Sequence, residues 1–139
     1  MPEVMINYLA VLISAIATMV IGALWYSPIL FGKIWIELSG VTQKKIEEAK
    51  KKGMSKSYLF TFIGSLITAY VLAHFVDYLE ATTASGGAQL AFWLWLGFIA
   101  PVNLGMVLWE GKPFKLFLLN TLHHLVSLIV IAIILSVWV

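Results

Sequence analysis

Apolar and polar positions alternate along this chain in long blocks rather than residue by residue. Residues 4–27, 57–76, 88–109 and 114–138 are almost wholly apolar, Lys115 being the only charged side chain inside them. A helix of about 20 such residues crosses a hydrocarbon core of about 30 Å. The pattern therefore predicts an all-α polytopic membrane protein, with four transmembrane helices in an up-down bundle forming one domain over residues 1–139.

The polar block at residues 41–53, Val-Thr-Gln-Lys-Lys-Ile-Glu-Glu-Ala-Lys-Lys-Lys-Gly, predicts a short amphipathic helix between spans one and two. Thr42 is the expected N-cap and Gly53 the stop. Val41 and Ile46 have hydrophobic-staple spacing, and Glu47–Lys51 and Glu48–Lys52 form i,i+4 pairs. Lysines 50 to 52 suit the negative end of the helix dipole. This helix is expected to lie near anionic lipid headgroups. Spans three and four are joined by Glu110-Gly111-Lys112-Pro113, which reads as the turn of a helical hairpin.

Polar side chains inside the apolar blocks change the picture more than the blocks themselves, because each needs a partner in hydrocarbon. In span one, Asn7, Ser14, Thr18 and Gly22 form one stripe, expected to face the bundle. Thr61, Ser65 and Thr68 form another in span two, with Gly64 beside it. His74 and Asp77, three apart at its exit, are expected to pair. Pro101 in span three leaves the Gly97 carbonyl without its helical partner, and Asn103 is placed to satisfy freed backbone. In span four, Asn120, His124 and Ser127 form a stripe with His123 on its flank. Counting about 1.5 Å per residue puts Thr18, Ser65, Asn120, His123 and His124 at comparable depth, with Asn103 nearby. These six are the candidate intramembrane cluster, with Asn103, Asn120 and His124 expected as partners. At the end of span one, Trp25, Tyr26, Ser27 and Pro28, with Trp35 beyond, predict a helix break and an aromatic belt at the membrane interface.

Composition and charge sharpen orientation. The chain is 61% hydrophobic and 12% charged, with a mean hydropathy of +0.95, far from an ordinary soluble domain. Seven of nine lysines lie within residues 33–56, and the other two, Lys112 and Lys115, lie in and just after the hairpin turn, while the loop between spans two and three has none. Lysine excess marks cytoplasmic loops, so the protein is expected in the cell membrane with residues 33–56 cytoplasmic and both termini outside. The first six residues carry only Glu3, and the long apolar run behind them reads as a retained anchor rather than a signal peptide. The absence of cysteine excludes disulfides, thiolate metal sites and cysteine nucleophiles. Arginine is also absent, which removes the usual bidentate fork for carboxylate or phosphate.

Several motifs together resemble a known family. They are Asn7-Tyr8, Gly22-x-x-Trp25-Tyr26-Ser27-Pro28-x-x-Phe31-Gly32-x-x-Trp35, Leu38-Ser39-Gly40, Trp95-Leu96-Gly97-Phe98 and Glu110-Gly111-Lys112-Pro113. The chain resembles small bacterial membrane proteins grouped as a domain of unknown function with four predicted spans. The resemblance implies a fold and no activity. It also implies aromatic residues at the positions of His123 and His124, so the histidine pair is a departure.

On function, the best-fitting expectation is a membrane scaffold or accessory subunit whose inner polar groups satisfy one another. A homo-oligomeric channel or transporter of a small solute or proton is the alternative; the spans lack a carboxylate, but histidine can relay protons. A haem- or metal-binding protein using His123 or His124 is the third. No nucleophile–base pair, phosphate loop or metalloprotease signature is present, so no catalytic residue, metal or cofactor is assigned. His74 and His123 lie at different depths and cannot share one ion. The expected partners are the lipid bilayer, further copies of the chain and an unspecified membrane protein, and not nucleic acid.

Overall fold

The computed structural model describes residues 3–138, and within them it is all-helical. Four helices are long and apolar enough to cross a membrane: Tyr8–Trp25, Ser55–Tyr78, Ala84–Leu108 and Phe114–Val137. The first is α1. Asn7 caps it, its side-chain oxygen accepting from the Ala10 N–H at 3.1 Å. At the other end Ser27-Pro28 stops it, and the chain reverses. Gly32 is needed in that reversal: a Cβ there would lie 2.6 Å from the Tyr26 carbonyl oxygen.

The reversal leads into α2, Gly32–Ser39, an element the hydrophobic pattern does not predict. Eight residues are too few to show a helical period clearly. Helix α3, Gln43–Lys52, forms as expected, with the Thr42 hydroxyl accepting from Lys45 N–H at 3.2 Å and Gly53 at φ 87° ending it. The second long helix is α4, Ser55–Tyr78.

The third long helix is not uniform. Thr83 caps α5, Ala84–Leu94, by accepting from the Gly86 N–H. A π-helical turn, Trp95–Ile99, follows, then two short pieces, α6 (Ala100–Asn103) and α7 (Gly105–Leu108). Pro101 sits in the first turn of α6, where its missing N–H is tolerated because the extra residue of the π turn has already shifted the bonding register. The Asn103 amide donates to the Ile99 carbonyl at 2.9 Å, one turn back on its own helix, and does not reach the Gly97 carbonyl. Gly111 at φ 67° then turns the chain into α8, Phe114–Val137.

The helices run up, down, up, down. Tyr8 stacks near Tyr70, Trp25 reaches Leu119, and Gly87 meets Ala132, which makes α1 and α4, α1 and α8, and α5 and α8 antiparallel. Helix α8 is the hub: α1, α4 and α5 all pack on it, whereas the third helix has α8 as its main neighbour. In the most apolar window of α8, 39% of residues are buried; in that of the third helix, 6% are. The core is built of small residues, with Ala10, Ser14, Ala15, Ala69, Ala91 and Ala132 fully buried around Leu72 and Ile131. In lipid, where burial of leucine gains nothing over the solvent, such close approach is what holds helices together.

That rule corrects one stripe and supports another. Ser14 is fully buried, with Thr18 and Gly22 half-buried, so the α1 stripe faces the bundle. On α4, Ser65 is buried, but Thr61, Gly64 and Thr68 are exposed. The inward face of α4 is Ser65, Ala69, Leu72, Ala73 and Val76. His74 and Asp77 do not pair either. The His74 Nδ1–H donates to the Tyr70 carbonyl at 2.8 Å, a partner one turn back on its own helix, and Asp77 is exposed.

Candidate functional site

The residue types with most chemistry meet where the end of α1 crosses the start of α8. Trp25 and Tyr26 reach this point because α1 ends there, and α2 folds back behind them. The Trp25 indole N–H donates to the Leu119 carbonyl at 3.1 Å, and the Tyr26 hydroxyl donates to Asn120 Oδ1 at 2.8 Å. Phe31 packs on Trp25 with ring centroids 4.7 Å apart, and Trp35 meets Tyr26 edge-on at 6.0 Å. Trp25 and Tyr26 therefore turn toward α8, and Trp35 toward Tyr26. An indole N–H and a phenol hydroxyl both need acceptors when half-buried, and α8 supplies them. Ser27 donates to the Leu24 carbonyl, and Pro28 is exposed at the turn.

His123 lies in the slot these aromatics make. Its ring centroid is 5.9 Å from that of Trp25 and 5.2 Å from that of Tyr26. Gly22 borders the slot: a Cβ there would be in ordinary contact with His123 Nε2, at 3.5 Å. The same Nε2 is 3.5 Å from the Ser127 hydroxyl. Nδ1 is buried and has no protein partner. His74 shows what is missing: its Nδ1 uses the carbonyl four residues back, but the equivalent carbonyl for His123 is that of Leu119, already claimed by Trp25.

His123 and His124 exchange the places expected of them. His124 is exposed, 5.2 Å from the His123 ring, and His123 takes the inward position with Asn120 and Ser127. The rotation of α8 decides this, because it turns Leu116, Leu119, Ile131 and Leu135 into the core, and His124 is then about 100° past His123. The rest of the expected cluster does not converge. Thr18 donates to the Ser14 carbonyl and Ser65 to that of Thr61, each on its own helix, and Asn103 bonds Ile99 as described. The partnership expected among Asn103, Asn120 and His124 is replaced by the Tyr26–Asn120 bond.

A second clamp was not read from the pattern. The Trp95 indole donates to the Thr121 carbonyl at 2.6 Å, while the Thr121 hydroxyl donates to that of Phe117. For the Tyr26–Asn120 bond the available signal was depth, since both residues lie at similar distances from the lysine-bearing ends; the Trp95–Thr121 bond has no such signal in the pattern. Among the described residues, no group of three His, Cys, Asp or Glu side chains is placed to hold a metal ion. At the opposite end, a cleft of about 630 Å³ opens between α1, α4 and α8, with Asn7, Asp77, Glu80 and Trp138 in its walls.

Residues 9–136, which include both clamps, match the family described as a protein of unknown function, DUF1761. The chain belongs to that family. No curated protein and no solved structure matches it. In this DUF1761 chain the segment Trp25-Tyr26-Ser27-Pro28, which carried the resemblance, is the part of α1 that closes on the hub helix.

Proposed function

We propose that the protein is a membrane-embedded scaffold or accessory subunit, in the cell membrane, with its lysine-bearing end cytoplasmic and both termini outside. The observation that supports this reading is the use made of the polar groups at the candidate site. Trp25, Tyr26 and Trp95 direct their donors to α8, and Thr18, Ser65, Asn103 and Thr121 direct theirs to their own helices. A transport path needs polar groups free to exchange partners with a permeant; here these seven side chains are tied into holding the fold, and the buried polar side-chain atoms left without a partner among the described residues, Ser14 Oγ, His123 Nδ1 and Ser136 Oγ, are scattered along two helices. The third helix supplies a surface for assembly, with Trp93, Phe98 and Val102 exposed along it. The partner proposed for that surface is a second copy of the chain.

Reconstitution tests the reading directly. Proteoliposomes should show proton and small-solute flux no higher than protein-free vesicles, and the purified protein should show no visible absorbance. A photo-reactive group in place of Phe98 should yield a covalent dimer. Flux that His123→Leu abolishes, a bound pigment, or adducts to lipid alone would overturn it.

A further inference from the structure

The lysine-rich helix α3 has a sidedness that its composition hides. It makes no substantial packing contact with any of the four long helices, and only Ile46 is half-buried within it. Gly40 at φ 73° and Gly53 at φ 87° break the chain on either side and set α3 apart as a separate body. At about 100° per residue, Ile46 and Ala49 share one face, Lys45 and Lys50 flank it within about 70° on either side, and Glu47 and Glu48 fall on the opposite half with Lys44 and Lys51. Long lysine stems can bury along such a face and lift their ammonium groups to its rim. Just ahead on the chain, Ile29 is 84% exposed and Ile34 47%, an apolar surface that also needs lipid.

We propose that α3 is a docking surface for anionic phospholipid. It lies along the headgroups with Ile46 and Ala49 turned to the membrane, Lys45 and Lys50 on lipid phosphates, and both glutamates away from them. Charge complementarity selects this occupant: the flanks of the apolar face are purely cationic, and a surface-lying helix with basic flanks binds in proportion to the anionic charge beneath it. The proposal is independent of the scaffold reading and requires only that the four long helices span the bilayer.

The chain lacks cysteine, so Ala49 is best probed through a single introduced thiol, Ala49→Cys carrying the fluorophore NBD. The full chain is placed in nanodiscs of phosphatidylcholine alone or of equal parts phosphatidylcholine and phosphatidylglycerol. We expect emission to rise about twofold in the anionic discs and to fall back when salt shortens the screening length to about 3 Å at 1 M. Lys45→Gln with Lys50→Gln should remove the rise; Lys44→Gln with Lys51→Gln, an equal change of charge on the other face, should keep it. Equal emission in both lipids overturns the proposal. So does equal loss in both double variants, which would mean charge without a docking face, or a rise that needs an added soluble protein.

Discussion

Two contacts of the hub helix are held by different physics, although the Asn7 amide also donates to the Trp138 carbonyl at the far end at 3.3 Å. At the lysine-bearing end, α1 and α8 are joined by directed bonds from Trp25 and Tyr26, with His123 laid between the rings. At the other end the contact between α5 and α8 is almost bare backbone: a Cβ on Gly87 would lie 2.7 Å from the Ala132 carbonyl oxygen. Directed bonds tolerate small shifts and reward particular side chains. Backbone contact tolerates no added atom. The difference teaches that one hub helix can combine specificity at one end with proximity at the other.

The comparison is broken most severely at the close contact. Gly87→Val should destabilise the fold by about 1–3 kcal/mol, the usual cost of overpacking, as read by thermal unfolding in detergent. A wild-type melting curve would show that α5 does not sit as close as described. At the bonded end, Tyr26→Phe and Asn120→Leu should each destabilise, with a coupling of about 0.6 kcal/mol and at most about 1.7 in a double-mutant cycle. Zero coupling there would remove the hydrogen bond from the account. Trp25→Phe has two effects, since it removes one donor and frees the Leu119 carbonyl for His123 Nδ1; nitrogen NMR of the imidazole should report protonation moving onto Nδ1. No change in that signal would mean Trp25 does not control the acceptor. The smallest effect is expected for His124→Leu, which should lie within about 0.5 kcal/mol of wild type. Combined with Asn103→Leu it should be additive within about 0.5 kcal/mol, and larger coupling would restore the cluster that the sequence pattern suggests.

Some of this was legible beforehand for local reasons. Thr42 caps α3 because a threonine hydroxyl reaches a backbone N–H three residues on in any surroundings, and Gly53 and Gly111 take positive φ because they lack a Cβ. The hairpin turn is equally local. The candidate site was legible only as an inventory. Asn120 and His123 stand out in the pattern as polar groups in apolar surroundings, but nothing in it joins them to Tyr26 and Trp25. His123 and His124 were assigned to each other's faces.

What the chain alone determined is what free energy per residue decides: four blocks apolar enough for lipid, the breaks between them, and the sorting of lysine to one end. What only the tertiary structure decided is the rotation of each helix about its axis. A helix that is apolar on every side carries no period that marks its inner face, and lipid exerts no pull to hide leucine. The inner face is then settled by where backbones can approach closely, as Ala132 and Gly87 do, and by which donors find an acceptor. Trp25 found the Leu119 carbonyl, and that bond together with the packed face of α8 leaves His123 between the rings.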